Sequence, residues 1–163
     1  MSVSNITRAA VLLLASLCLP GSATQAAVSS PFAAMAGSWS GGGVLNTTDG
    51  AQEQLRCRAS YDVAPSGAEL RLNLRCASQS YNFDLASEVQ YRGGAISGSW
   101  SEASRNASGS LSGRAAGDHI EAAARGENFS ANLSLTTRGS RQTVSIRPQG
   151  TNVTAVSLAL NRR

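Results

Sequence analysis

The chain has 163 residues and a formal net charge of +4, from 14 basic residues that are all arginine and 10 acids. This length excludes a large multidomain protein and predicts one domain that can bury a useful core. The single histidine in the chain excludes a histidine-rich zinc site. The small positive charge is typical of ordinary solubility, and the lack of lysine is typical of a G+C-rich bacterial genome.

Residues 1–26 predict a secretory signal peptide. Arg8 supplies the positive charge, residues 9–19 form the apolar run, and small residues at 24–26 offer a cleavage site. The apolar run is too short to cross a bilayer as a helix. Cys18 is expected to be discarded with this segment, and lipidation of that cysteine is the alternative. We therefore expect the mature protein in the periplasm or outside the cell.

From Gly37 onward, apolar and polar residues alternate with a period of two, and turn signals recur at regular spacing. This pattern is typical of an all-β fold built from short antiparallel strands. We expect an up-and-down β-barrel of about eight to ten strands over residues 37–163, with a β-sandwich as the alternative. The residues between signal peptide and barrel, 27–36, are expected to form a flexible leader.

The first strong hairpin turns at residues 65–67 and predicts a disulfide. When Cys57 faces Cys76, every apolar side chain of the two strands lies on one face, and Tyr61 faces Leu72. A shift by one residue would invert both faces. In an oxidising compartment, two cysteines in this register are expected to form a disulfide.

Three later hairpins follow the same logic. Two-residue turns are expected at 92–93, 117–118 and 139–140, and a last strand is expected at 152–161. The pairs that these turns predict are Val89 with Ile96, Ala115 with Ile120, and Leu135 with Val144.

The apolar face has two possible directions. It points inward in a soluble barrel and toward lipid in an outer-membrane barrel. Aromatic residues make up only 5% of the chain, which leaves few for the two aromatic girdles of a membrane barrel. The connections are short, and the chain ends in Arg163 rather than in an aromatic residue. We therefore expect a soluble barrel without stable membrane insertion, and an outer-membrane barrel is the alternative.

Gly37-Ser38-Trp39 opens the first strand of the meander. A motif of this kind before such a meander resembles the calycin group of barrels, which includes lipocalins and avidins. The resemblance implies that Trp39 closes one end of the barrel and stacks on an arginine from the last strands, here Arg147 or Arg162. It also implies a ligand pocket, but it names no ligand, and the biotin-binding pattern of avidins is not found.

The inner face of the barrel contains the candidate ligand-binding residues. They are the aromatic residues Trp39, Tyr61, Tyr81, Phe83 and Trp100. The second half of that face carries small residues, namely Gly98, Gly113, Ala115, Ala122, Ala124 and Ala131. Small inward residues leave room for one modest, partly apolar ligand. The alternative is that neighbouring bulky side chains fill the space.

A cluster of arginines lies on the outer face of the first hairpin. Its members are Arg56, Arg58, Arg71 and Arg75. The hairpin register places Arg58 opposite Arg75 and predicts an ion pair between Asp62 and Arg71. Such a cluster suits a phosphate, an acidic polysaccharide or an acidic protein, and a simple solvated face is the alternative. No aromatic residue separates these arginines, so we expect no nucleic-acid partner.

No arrangement of residues in the sequence predicts catalysis. His119 stands beside a predicted turn, and neither a nucleophile elbow nor a phosphate-binding loop is present. We expect no catalytic residue, no metal, no cofactor and no enzyme activity. One hypothesis is an exported barrel that binds a small molecule. The other is a periplasmic interaction or inhibitor module that contacts an envelope protein through its outer surface or through residues 102–109, the longest polar connection.

Overall fold

Ten β-strands account for most of residues 30–163, the part of the chain that this computed structural model describes. They are β1 (Gly37–Thr47), β2 (Gln52–Val63), β3 (Glu69–Ala77), β4 (Asn82–Arg92), β5 (Ala95–Glu102), β6 (Ala107–Ala116), β7 (His119–Gly126), β8 (Ser130–Arg138), β9 (Arg141–Gln149) and β10 (Val153–Arg162). Two single-turn 3-10 helices span Ala33–Met35 and Ala103–Arg105. The signal peptide predicted at 1–26 lies outside the described residues.

The strands form one closed barrel. Each strand is antiparallel to the one before it, and β10 pairs with β1 to close the sheet. The predicted up-and-down topology is confirmed, with a strand count at the upper limit of the expected range. The sandwich alternative does not hold, because a closed sheet leaves no pair of separate sheets and no free edge.

The first hairpin has the predicted register. Cys57 faces Cys76 and Tyr61 faces Leu72 across β2 and β3. The two cysteines form a disulfide with an S–S distance of 2.04 Å. The two cysteines are 19 residues apart in the sequence. A disulfide that closes a loop of this length lowers the entropy of the unfolded chain and so contributes on the order of 3 kcal/mol to stability.

Two of the three later hairpins also agree with the sequence. The turns at 117–118 and 139–140 have the predicted registers. The β4–β5 register differs by two residues, because Ile96 faces Tyr91 instead of Val89. The turn there is formed by residues 93–94, whose two glycines have positive φ angles of 55° and 91°, as tight hairpin turns require. A shift of two residues keeps every side chain on its predicted face.

The apolar face points into the barrel, as predicted. Trp39, Leu55 and Leu160 are buried in the interior. On the outer face, the side chains of Arg71 and Glu88 are 74% and 70% exposed. Within residues 30–163, no helix is long and apolar enough to cross a membrane.

Residues 30–36 pack against one end of the barrel. Phe32 and Met35 are 0% and 2% exposed, and the Phe32 ring meets Tyr91 edge-on with 6.2 Å between ring centroids. The Trp39 indole N–H donates a hydrogen bond of 2.7 Å to the carbonyl oxygen of Met35. This segment therefore differs from the flexible leader predicted over 27–36, because its two apolar side chains fill the end of the barrel. Residues 27–29 lie outside the described part.

Arg162 fastens this segment to the last strand. Its guanidinium lies over the Trp39 ring, 4.6 Å from the ring centroid, a distance typical of a cation–π contact. It also donates hydrogen bonds to the backbone carbonyls of Ala34 and Ala36. Of the two arginines that the calycin resemblance offers, Arg162 therefore occupies the position on Trp39, whereas Arg147 is exposed on β9.

Most of the polar loop predicted at 102–109 is regular structure. β5 continues to Glu102, the second 3-10 helix follows, and β6 begins at Ala107. Only Asn106 lies between the helix and β6, in a left-handed conformation with φ of 51°. Glu102 accepts hydrogen bonds from the backbone of the helix and thereby fastens the helix to the end of β5.

Candidate ligand-binding cavity

The two ends of the barrel are built differently. We call the end covered by residues 30–36 the closed end, and it also carries the tight turns at 93–94, 117–118 and 139–140. The opposite end, which we call the open end, carries the turns at 48–51, 78–81, 103–106, 127–129 and 150–152. The cavity described next lies at the open end.

The open end contains a cavity of about 310 Å³. This volume is at the lower end of the range of about 300–1,000 Å³ that small-molecule pockets occupy. Aliphatic side chains form much of its wall, namely Leu55, Leu74, Leu85, Ile146, Val153, Val156 and Leu158. Phe83, Trp100, Ala107, Phe129, Pro148 and the disulfide-bonded Cys76 complete the apolar lining. The cavity therefore suits a small apolar group.

Trp100 defines one side of the cavity. Its indole N–H donates to the carbonyl oxygen of Ser110 at 3.1 Å, and its ring meets Phe129 edge-on with 5.4 Å between centroids. The ring also packs on the small side chains of Ala124 and Ala131. Trp100 thus fills the space that those small residues leave.

The small inward residues of the second half do not line the cavity. Neighbouring strands approach so closely that a Cβ atom on Gly98 would collide with the backbone carbonyl of Glu88, and one on Gly113 with that of Glu121. The room expected beside these small residues is therefore taken by backbone and by Trp100. The cavity lies instead among the large residues of β2–β5 and β9–β10.

Within residues 30–163, Glu102 is the one carboxylate that lines the cavity. Its side chain is 9% exposed, and it accepts hydrogen bonds from the backbone N–H groups of Asp84 at 2.8 Å, Ser104 at 3.2 Å and Arg105 at 2.8 Å. Burial acts to raise the pKa of Glu102, but these hydrogen bonds outweigh it and hold the pKa below its ordinary value of 4.5. The carboxylate is therefore charged, and the chain itself satisfies it.

Arg105 lies at the mouth of the cavity. Its guanidinium is 3.6 Å from the Glu102 carboxylate and lies over the Phe83 ring at 4.8 Å from the centroid. It also donates to the carbonyl oxygen of Asn82 at 3.0 Å. The positive charge of Arg105 thus balances the one negative charge of the cavity wall.

Tyr81 stands at the rim of the open end. Its ring stacks parallel to Phe83 with 6.3 Å between centroids, and its hydroxyl accepts a hydrogen bond of 2.7 Å from the Asn152 amide. Tyr81 is not among the residues that line the cavity. Its contacts tie the β3–β4 turn to the β9–β10 turn across the mouth.

Trp39 and Tyr61 lie at the closed end, away from the cavity. The Tyr61 hydroxyl donates to the Gln142 side-chain oxygen at 2.6 Å, and the Gln142 amide donates to the Thr137 hydroxyl at 3.1 Å. All four side chains are buried, and burial raises the pKa of Tyr61. Of the five predicted ligand-binding aromatics, the structure brings only Phe83 and Trp100 to the cavity.

The arginine cluster is partly neutralised by β4. Arg71 forms an ion pair with Glu88 and Arg75 forms one with Asp84, each at 3.2 Å. Asp62 faces Arg71 in the β2–β3 register, but the guanidinium contacts Glu88 instead. The ion pair predicted between Asp62 and Arg71 is therefore replaced by one to the other neighbouring strand.

His119 occupies a structural position at the closed end. Its Nδ1 lies 2.9 Å from the Thr136 hydroxyl, and its Nε2 lies 3.4 Å from the Glu121 carboxylate. Among residues 30–163, no group of three or more His, Cys, Asp or Glu side chains is placed to hold a metal ion.

Sequence reasoning missed Glu102 and Arg105 as cavity residues. The signal that reveals Glu102 is the alternation of β5, in which residues 96, 98, 100 and 102 all point inward. A carboxylate on an apolar face needs partners, and the backbone N–H groups that follow Glu102 supply them. No comparable pattern marks Arg105, which lies in the connection.

A closed antiparallel barrel, with a tryptophan–arginine stack at one end and an apolar cavity at the other, defines a calycin-like barrel. Solved structures of other proteins share this fold, among them the following two. Rv2717c from M. tuberculosis superposes with a TM-score of 0.64 at 13% identity, over 82% of this chain and 97% of that one. The S-type phycobiliprotein lyase CPES from Guillardia theta superposes with a TM-score of 0.60 at 9% identity, over 81% of this chain and 89% of that one.

At these identities the two likenesses show the fold alone. No family model matches the sequence, and no curated protein matches it.

Proposed function

We propose that this protein is an exported barrel that holds one small, largely apolar ligand in the cavity at its open end. The observation that carries the proposal is the apolar cavity of about 310 Å³. Burying apolar ligand surface in such a site yields about 25 cal/mol per Å² before the costs of association.

The polar groups of the cavity indicate where the polar part of a ligand lies. Glu102 is already satisfied by backbone N–H groups, and Arg105 is shared between Glu102, Phe83 and Asn82. The cavity wall therefore has few free hydrogen-bonding groups to compensate for the desolvation of a polar ligand atom. A ligand places its apolar body inside the barrel and keeps any polar group at the mouth, near Arg105 and Thr151.

Binding without catalysis fits this site. The only carboxylate in the wall has a lowered pKa and is held by three backbone N–H groups, so it is a poor proton acceptor. We propose that the cavity stores or carries its ligand unchanged.

A neutral fluorescent apolar dye, N-phenyl-1-naphthylamine, tests the proposal. Ala107→Phe places a ring inside the cavity, and it should abolish the dye's fluorescence gain. Ala116→Phe is the matched control, because Ala116 is exposed at the other end of the same strand, β6. The control should bind dye as the parent protein does. Equal binding by both variants, with unchanged circular dichroism, would show that the dye binds elsewhere and would refute the proposal.

We also propose that the mature protein works in the periplasm or outside the cell. The signal peptide predicted over 1–26 and the Cys57–Cys76 disulfide support this location. N-terminal sequencing after osmotic-shock release should give a mature chain that begins after residue 26. Recovery only from the cytoplasm with residues 1–26 intact, or only from detergent-extracted membrane, would refute it.

A further inference from the structure

A groove of about 1320 Å³ runs over the outer face of β1, β2 and β3 and reaches the start of β4. It lies on the outside of the barrel wall, so it is separate from the ligand cavity. Its floor follows β1 over 38–41, where every residue except the inward Trp39 is glycine or serine. Because these residues have short side chains or none, the longer side chains on β2 and β3 stand above the floor and form a wall.

The groove carries an excess of positive charge. Among the described residues, four guanidinium groups line it, those of Arg56, Arg58, Arg75 and Arg163, against the single carboxylate of Asp84. Asp84 is already paired with Arg75. Within residues 30–163, the side chains of Arg56 and Arg58 form no ion pair and no hydrogen bond. Their hydrogen-bond donors are therefore available to a ligand.

The strand register places two arginines opposite each other in the groove. Arg58 faces Arg75 directly across β2 and β3, and it faces Ser40 across β1 and β2. Like charges directly opposite each other on a sheet are destabilising. Asp84 already neutralises Arg75, so an anion lying between Arg58 and the floor would supply a counter-charge to the arginine of this facing pair that has no ion-pair partner within residues 30–163.

The remaining groove residues indicate the kind of anion. Hydroxyl and amide groups from Ser38, Ser40, Ser60 and Asn73 alternate with the arginines. Trp39 is buried and Phe83 lines the internal cavity, so residues 30–163 offer this groove no exposed ring on which a nucleobase could stack. Guanidinium forks match carboxylates in a bidentate manner, and hydroxyl and amide groups suit sugar hydroxyls.

We propose that this groove binds a carboxylate-bearing polysaccharide, with uronate carboxylates on Arg56 and Arg58 and sugar hydroxyls on the serines and Asn73. The groove is open along its length, so it accepts an internal stretch of the polymer. Arg163, whose guanidinium donates to the Ser40 hydroxyl at 2.7 Å, closes the side that lies toward β10. Arg71 of the predicted arginine cluster takes no part, because it is outside the groove and paired with Glu88.

Polygalacturonate is the probe, measured by isothermal titration calorimetry on the oxidised protein. The test variant is Arg56→Gln with Arg58→Gln. The control is Arg125→Gln with Arg141→Gln, two exposed arginines outside the groove, which removes the same net charge. We expect the test variant to lose about tenfold or more in affinity and the control to lose less than about twofold.

One further variant and three alternative ligands complete the experiment. Arg163→Gln lies beyond the last strand and leaves the sheet intact, so a folded Arg163→Gln protein must also lose affinity even where the double variant is unstable. Neutral dextran, single-stranded DNA and vesicles with anionic phospholipid replace the polymer in parallel titrations. The proposal is overturned by no binding of polygalacturonate, by equal losses in the test and control variants, or by equal binding of dextran, DNA or vesicles.

Discussion

Glu102 illustrates how strand alternation determines the surroundings of a single charged side chain. The alternation of β5 turns this residue inward, into an otherwise apolar wall. Leaving a buried carboxylate unpartnered would be costly, and the following single-turn helix removes that cost by directing backbone N–H groups at it. The alternation is visible in the sequence, but the helix that satisfies the carboxylate is not, because three residues give no periodic signal.

The lowered pKa of Glu102 makes a prediction about stability and pH. A carboxyl group whose pKa is lower in the folded than in the unfolded protein stabilises the fold at pH values above its unfolded pKa, here near 4.5. This stabilisation is lost as the pH falls through the pKa of the folded protein. Glu102→Gln removes this contribution. Urea titrations should therefore show a stability gap between parent and variant at pH 7 that narrows as the pH falls below about 4.5. A gap of constant size from pH 7 to pH 3 would contradict the assignment.

At the scale of the element, the β2–β3 hairpin was predictable because several independent constraints agree. One register aligns the cysteines, buries the apolar side chains and leaves the charged ones outside. The predicted β4–β5 register differs from the observed one by two residues. Arg92-Gly93-Gly94 allows a turn at 92–93 or at 93–94, and both turns leave every side chain on the same face of the sheet. Residues 30–36 could not be placed from the sequence, since a short segment without periodicity shows its role only once the end of the barrel it fills is known.

The face assignment of the first hairpin predicts a contrast between neighbouring residues. Leu70 is 4% exposed inside the barrel, whereas the Arg71 side chain is 74% exposed outside. Leu70→Ala should lower the free energy of unfolding by about 2–5 kcal/mol. Arg71→Ala should lower it by less than about 1 kcal/mol, because an exposed ion pair contributes little. Urea titrations of the oxidised proteins measure both, and equal losses would mean that the faces are reversed.

The packing of residues 30–36 predicts that this segment is part of the folded domain. Phe32 is fully buried against Tyr91 at the closed end. Phe32→Ala should cost about 3–5 kcal/mol of stability, the range for a buried phenylalanine. Phe129→Ala serves as the control, since Phe129 is only half-buried at the mouth and should cost clearly less. If the two variants unfold at the same urea concentration, the segment does not contribute to the core.

At the scale of the whole molecule, the fold followed from the sequence, but the position of the cavity did not. Period-two alternation, turn residues and the Gly37-Ser38-Trp39 motif together predict a closed barrel with one end capped. The position of a cavity depends on where a few large rings lie. The Trp100 ring packs on Ala124 and Ala131 and fills the space that these small residues were expected to leave for a ligand. The result is a barrel closed at one end, open at the other, and charged on one outer wall.

Ligand binding in the open-end cavity is the function that we propose for this barrel. Native mass spectrometry of the protein purified from the cells that produce it tests this most directly. We expect one non-covalent adduct of a small apolar molecule, present on the parent protein and on Ala116→Phe and missing from Ala107→Phe. A parent protein that carries no adduct, or an adduct retained in full by a folded Ala107→Phe variant, would contradict it.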